Sequence, residues 1–157
     1  MARSRIGSAL RSFLHPTAAP TAAPTAAPTA APTVSYAPEP DGLPDPGEVV
    51  WAWVAYEDDP AQGKDRPVLV IGRDGGTLLG LQLTSKDHDR DAADEARYGR
   101  HWMDIGSGGW DREGRPSEVR LDRLLRMQED DVRREGAALD QQVFDAVVAA
   151  ARERHTL

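Results

Sequence analysis

The stretch VLVIGRDGGTLLGLQLTS, residues 68–85, does most to narrow the folds open to this chain. Two apolar runs flank an Asp-Gly pair at Asp74 and Gly75, and such a pair supplies the positive φ values of a tight hairpin. Strands joined that closely run antiparallel. Upstream, EVVWAWVAY (48–56) is β-branched and aromatic, with Val50, Ala52, Val54 and Tyr56 on one face and Val49, Trp51, Trp53 and Ala55 on the other. Both faces are apolar, so the reading is a central strand covered on both sides. Residues 57–66 read as a loop, and Pro67 opens the next strand, since proline cannot donate to a central ladder. HWMDIG (101–106) reads as a fourth strand and SEVRLDRLLRM (117–127) as a fifth, separated by a glycine-rich loop. Charge-dense residues 86–98 suit a solvated loop or a short exposed helix.

The last thirty or so residues change period. A short helix is expected over 129–135. A longer one follows, capped by Asp140, with Val143, Phe144, Val147, Val148 and Ala151 in one stripe, and Leu139 and Phe144 are placed as a hydrophobic staple across the cap. The expected architecture is mainly β with C-terminal helices, a small antiparallel sheet curled into a barrel.

Residues 16–32 repeat Thr-Ala-Ala-Pro four times and offer almost nothing to bury. They read as an extended, polyproline-like spacer. Three segments are therefore expected: a basic tail over 1–15, a linker over 16–45 and a folded domain over 46–157. On that division, removing residues 1–45 should leave stability intact. There is no cysteine, so disulfides and thiolate metal sites are excluded. No apolar run reaches the roughly 18 residues of a membrane span, and a cytoplasmic protein is expected. The net charge is −7, and in the tail and linker Arg3, Arg5 and Arg11 balance Glu39, Asp41 and Asp45. The excess acid thus lies in the domain, against nucleic-acid binding through a broad basic surface. The basic concentration within it is the set of seven arginines between Arg112 and Arg134.

Phosphate-loop, dinucleotide-binding, zinc-protease and serine-hydrolase motifs are missing. His15, His88, His101 and His155 lie far apart, so no metal or other cofactor is expected. DHDRD (87–91) looks superficially like an oxygen-ligand loop but lacks the turn glycine and terminal glutamate of a calcium loop. A solvated charge run is the plainer reading. GSGGW (106–110) reads as a flexible loop or an anion nest. Trp102 and Trp110 either fill the end of the barrel or stack on bases.

The order PGEVVWAWV, QGKDRPVLVIG, LQLTS, GRPSEVRLDRL, VRREGAALD resembles the MazF/PemK toxins of bacterial toxin–antitoxin pairs, from Pro46 to the C-terminus. Carrying the match are Gly47 to Trp51, the Arg66-Pro67 pair before Val68 to Ile71, the Thr84-Ser85 pair, and a serine-led strand from Ser117. The resemblance implies an SH3-like barrel of the MazF/PemK/CcdB type, usually a homodimer. It also implies metal-independent cleavage of single-stranded RNA at short sequences, with the neighbouring 2′-hydroxyl as nucleophile, and neutralisation by a cognate antitoxin. By position, Arg66 is the catalytic arginine and Thr84 the catalytic hydroxyl, with Gln62, Lys64, Ser85, Ser117 and Arg120 as substrate-binding residues. Ala61 stands where family members often carry an acidic residue, and residues 86–116 are longer than in compact members. The alternative is a barrel without nuclease action that binds a protein, as the gyrase-inhibiting CcdB toxins do.

Overall fold

The computed structural model describes residues 31–157; the basic tail and nearly all of the repeat lie outside them. The strands are β1 (Thr33–Val34), β2 (Glu48–Ala55), β3 (Gly63–Asp74), β4 (Thr77–Thr84), β5 (Trp102–Gly106), β6 (Ser117–Arg120), β7 (Leu125–Met127) and β8 (Val132–Ala138). Helix α1 (Ala92–Arg97) follows β4, and α2 (Gln141–Arg152) closes the described chain. The eight strands form one sheet in the order β5-β6-β4-β3-β2-β8, with β1 on β3 and β7 on β4, and every pairing is antiparallel. The end strands β5 and β8 do not pair, so the sheet curls without closing into the expected barrel.

The hairpin forms between the two expected strands, but its turn lies one residue beyond the expected Asp74-Gly75 pair. Its two-residue loop is Gly75-Gly76, and the positive φ of +60° falls on Gly75 while Asp74 pairs with Thr77 at the end of the ladder. Alternation along the central strands builds two cores. Val49, Leu69, Leu79, Leu81 and Leu83 face one way, beneath Phe144, Val147, Val148 and Ala151 of α2. Val50, Ala52, Val54, Val68, Val70 and Leu78 face the other, against Leu125, Met127 and Val132. The second core has only strand residues, so curling of the sheet is what covers it. Asp140 caps α2 by accepting from the amides of Gln142 and Val143, and Leu139 and Phe144 share the first core.

Several boundaries differ from expectation. Pro67 does not open its strand; β3 begins at Gly63, and Pro67 pairs with Trp51 of β2 while the ladder to β4 starts only at Val68. A proline is tolerated there because the strand is paired on one side only. Residues 117–127 are two strands. At the break the Asp122 carboxylate turns to accept from the His101 amide at 2.7 Å, and Arg123 donates to Ala55 O at 2.8 Å. The helix expected over 129–135 is a 3₁₀ turn, Glu129–Asp131, followed by β8 on the edge of β2. Its approach needs Gly136, where a Cβ would stand 2.1 Å from Val49 O.

The end of the presumed linker belongs to the fold. Thr33 and Val34 pair with Arg73 and Gly72, and a Cβ on Gly72 would stand 2.2 Å from Thr33 O. Tyr36 packs against Phe144 with ring centroids 5.1 Å apart and donates its hydroxyl to Leu139 O at 2.6 Å. A chain beginning at Pro46 is therefore expected to melt below one beginning at residue 31. The lost aromatic pair and hydrogen bond are each worth about 1 kcal/mol, together several degrees in Tm. Equal melting temperatures would show that this docking adds no stability.

Candidate functional site

Arg66 lies in β3 opposite Ala52 of β2, well inside the strand, and its side chain stands between two shallow grooves. One, of about 170 Å³, gathers Arg66 with Lys64, Thr84, Ser85 and Ser117. The other, of about 330 Å³, brings Arg66 beside Tyr56, Arg100, Arg120 and Arg123. Lys64 and Arg66 are two apart on one strand and so share a face. Gln62 lines neither groove; its amide nitrogen donates to Asp59 Oδ2 at 3.0 Å. Of the residues singled out in the sequence, it is the one the fold leaves apart from Arg66.

Cations crowd these grooves, and most are already committed. Arg100 holds Glu95 through two hydrogen bonds of 2.7 and 2.9 Å. With help from Trp102 Nε1, this lowers the Glu95 pKa to about 2. Arg120 is buried and pairs with both Asp122 and Glu57 at 2.7 Å. Burial pushes the Asp122 carboxyl up, but the bonds from Arg120 and the His101 amide outweigh it and the net shift is downward. Arg123 reaches Ala55 O and lies 3.6 Å from Glu57. Arg115 pairs with Asp111 at 2.9 Å. Among the described residues, Lys64 and Arg66 alone of the groove-lining cations have no ion-pair or hydrogen-bond partner. Partial burial lowers the Arg66 pKa; Tyr56 opposes the shift, and Arg123 and Arg120 add to it. A half-buried guanidinium repelled by two neighbours and neutralised by none is arranged to receive an anion.

The hydroxyls are set differently. Thr84 Oγ1 accepts from the Lys86 amide at 3.2 Å, which leaves its proton free to donate. Ser85 is exposed, whereas Ser117 is buried and its Oγ accepts from Trp110 Nε1 at 3.1 Å. Trp51 Nε1 in turn donates to Trp110 O at 3.0 Å, so the glycine-rich loop is pinned by a buried tryptophan against the groove wall. Neither Trp110 nor Trp102 is free for a base. Trp102 stacks on His88, with centroids 4.3 Å apart, and has the Arg120 guanidinium 6.0 Å from its ring centre. Among the described residues the exposed aromatics are Tyr98, 75 % exposed but lining neither groove, and Trp53, 40 %, and Tyr56, 36 %, at the end of β2 that was read as covered on both sides. Arg123, Tyr56 and Arg100 are among the groove residues that sequence reasoning did not single out. The arginine run contained the first, but only the break after Arg120 turns it inward.

The chain is thus a small β-protein, a curled antiparallel sheet with one packed C-terminal helix, whose two grooves meet at an arginine unpaired among the described residues. The family model of PemK-like, MazF-like toxins of type II toxin–antitoxin systems matches residues 45–154, and the chain belongs to that family. Among solved structures, MazF (Form-I) from Deinococcus radiodurans is 18 % identical, with a TM-score of 0.52 over 72 % of this chain and 96 % of that one. The MazE-MazF (Form-II) structure from the same organism gives 18 % identity and a TM-score of 0.49, with the same 72 % and 96 % coverage. An endoribonuclease in complex with its cognate antitoxin from a mycobacterial species gives 12 % and 0.48, over 71 % of this chain and 92 % of that one. No curated protein matches the chain significantly. Among the described residues no helix is long and apolar enough to cross a membrane.

Proposed function

We propose that this protein is a cytoplasmic toxin that cuts single-stranded RNA at a short sequence without a metal, acts as a homodimer, and is neutralised by a cognate antitoxin. Family membership supports the toxin–antitoxin endoribonuclease role. The observation that carries the chemistry is the unpartnered Arg66, facing one groove with hydroxyls and another with arginines.

In the proposed reaction the RNA 2′-oxygen attacks the adjacent phosphorus and the bond to the 5′-oxygen breaks. A base takes the 2′-proton and the leaving oxygen gains one, giving a cyclic phosphate and a 5′-hydroxyl. Negative charge builds on the equatorial phosphate oxygens, and the planar fork of Arg66 can hold two of them. Its place inside a paired strand fixes that fork more firmly than a loop would. A guanidinium holds its proton too firmly to be a good base, even with its pKa lowered by partial burial, so Arg66 is assigned to charge stabilisation. Thr84 donates its free proton to a phosphate oxygen, and Lys64, Ser85 and Ser117 bind the flanking backbone. Arg120, held by two carboxylates, acts through the placement of Glu57 at the groove, and Tyr56 offers a stacking face for a base.

The test is incubation of a long single-stranded RNA with the full chain in EDTA, followed by mapping of the cuts. Discrete cuts with 5′-hydroxyl ends are expected. Intact RNA in the presence of folded protein would favour a barrel that only binds a partner.

A further inference from the structure

Residues 85–91 leave β4 and run past the start of β6. There Asp87, Asp89 and Glu118 each bring a carboxylate oxygen to within 4.8 Å of the others. The glutamate that the local DHDRD pattern lacks is thus supplied by a strand distant in sequence. Glu118 is unlike the two exposed aspartates. It is 6 % exposed, its Oε1 accepts from the His88 amide at 3.1 Å, and its buried Oε2 has no hydrogen-bond partner among the described residues. Asp104, its pairing partner on β5, lines the same cavity of about 200 Å³ with Asp87, Asp89 and Ser117. Lys86 also lines this cavity, but its amine lies 3.7 Å from Asp91, outside the trio.

We propose that Asp87, Asp89 and Glu118 form a binding site for a hard divalent cation of the calcium and magnesium class, with Asp104 at its rim. An all-oxygen donor set without His or Cys suits such ions and not zinc or copper. A bound cation offsets the mutual repulsion of three carboxylates, one of them the buried Glu118 whose Oε2 lacks a hydrogen-bond partner among the described residues. Burial raises the Glu118 pKa, the His88 amide opposes this, and Asp104 and Asp87 add to it, as expected of an acid facing like charges. The neighbouring trio His88, Asp91 and Glu95 has no such vacancy. Its Asp91 already faces His88 Nδ1 at 3.3 Å, and its Glu95 is held by Arg100 and Trp102. The consequence is structural: the ion ties the loop that follows Thr84 and Ser85 to β6. It takes no part in phosphoryl chemistry, and the proposal stands whether or not the protein cuts RNA.

The full chain, stripped with EDTA and exchanged into cation-free buffer, is titrated separately with calcium chloride and magnesium chloride by calorimetry and melted with each. One equivalent bound per chain and a raised Tm are expected. Glu118→Gln and Asp89→Asn should each weaken binding at least about tenfold, because even partners outside a metal's direct ligand shell are worth 10- to 100-fold. Asp89 is exposed, so its variant decides the matter even if Glu118→Gln fails to fold. Tighter calcium than magnesium binding would indicate a loose, many-ligand site; either order supports the proposal. Absence of binding of both ions at millimolar concentration, or unchanged affinity in Asp89→Asn, overturns it.

Discussion

Replacing Arg66 with alanine is expected to lower RNA cleavage by about 10²–10³-fold or more, the typical cost of removing one donor to transition-state charge. The melting temperature should hold or rise slightly. Both halves come from the same geometry: Arg66 makes no ion pair or hydrogen bond among the described residues, so its loss removes no intramolecular partner and relieves repulsion from Arg120 and Arg123. Arg66→Lys keeps the charge but loses the fork, and should fall between the two. A parallel change at Arg120 should behave differently. Arg120→Ala leaves Asp122, with 15 % of its side chain exposed, without its strongest partner, and should lower Tm as well as activity. Rates from single-turnover cleavage, set beside thermal melts, separate the outcomes. Wild-type cleavage by a folded Arg66→Ala variant would remove Arg66 from the chemistry.

Phe144→Asp is expected to abolish the folded state or to lower Tm by more than about 10 °C. The ring is 2 % exposed, lies under the first core and carries the Tyr36 contact. Emptying such a site costs about 3–5 kcal/mol, and a carboxylate placed there adds a desolvation cost. A domain whose whole stability is about 5–15 kcal/mol has little left after that. Phe144→Leu, which keeps most of the apolar volume, should stay folded at a reduced Tm. Circular dichroism melts with mass measurement in solution check this, and an unchanged melt of Phe144→Asp would refute the packing of α2 on the sheet.

A hairpin between β3 and β4, though with its turn one residue further on than read, the alternation that builds two cores and the capped stripe of α2 were all legible in the sequence. Each depends on residues within a few positions of one another, where turn chemistry and side-chain period act directly. Strand β8 was not legible. EDDVRREGAA is charge-rich and has weak strand preference, and it becomes a strand because the edge of β2 offers it a ladder and Gly136 lets it approach. Docking of Thr33 and Tyr36 likewise depends on surfaces built by residues some forty to a hundred positions away.

The candidate site divides along the same line. The Arg-Pro and Thr-Ser pairs, read through the family resemblance, brought out Arg66 and Thr84. That Arg66 stands free while Arg100, Arg115 and Arg120 are bound to carboxylates was decided only by the tertiary structure. The same holds for Glu118, an ordinary strand residue by sequence, which folding buries beside two aspartates with one oxygen unpartnered. A sequence determines which charges a chain carries and how its near neighbours alternate. Whether a charge is neutralised depends on groups brought within a few ångströms by the fold, and that distance has no local signature.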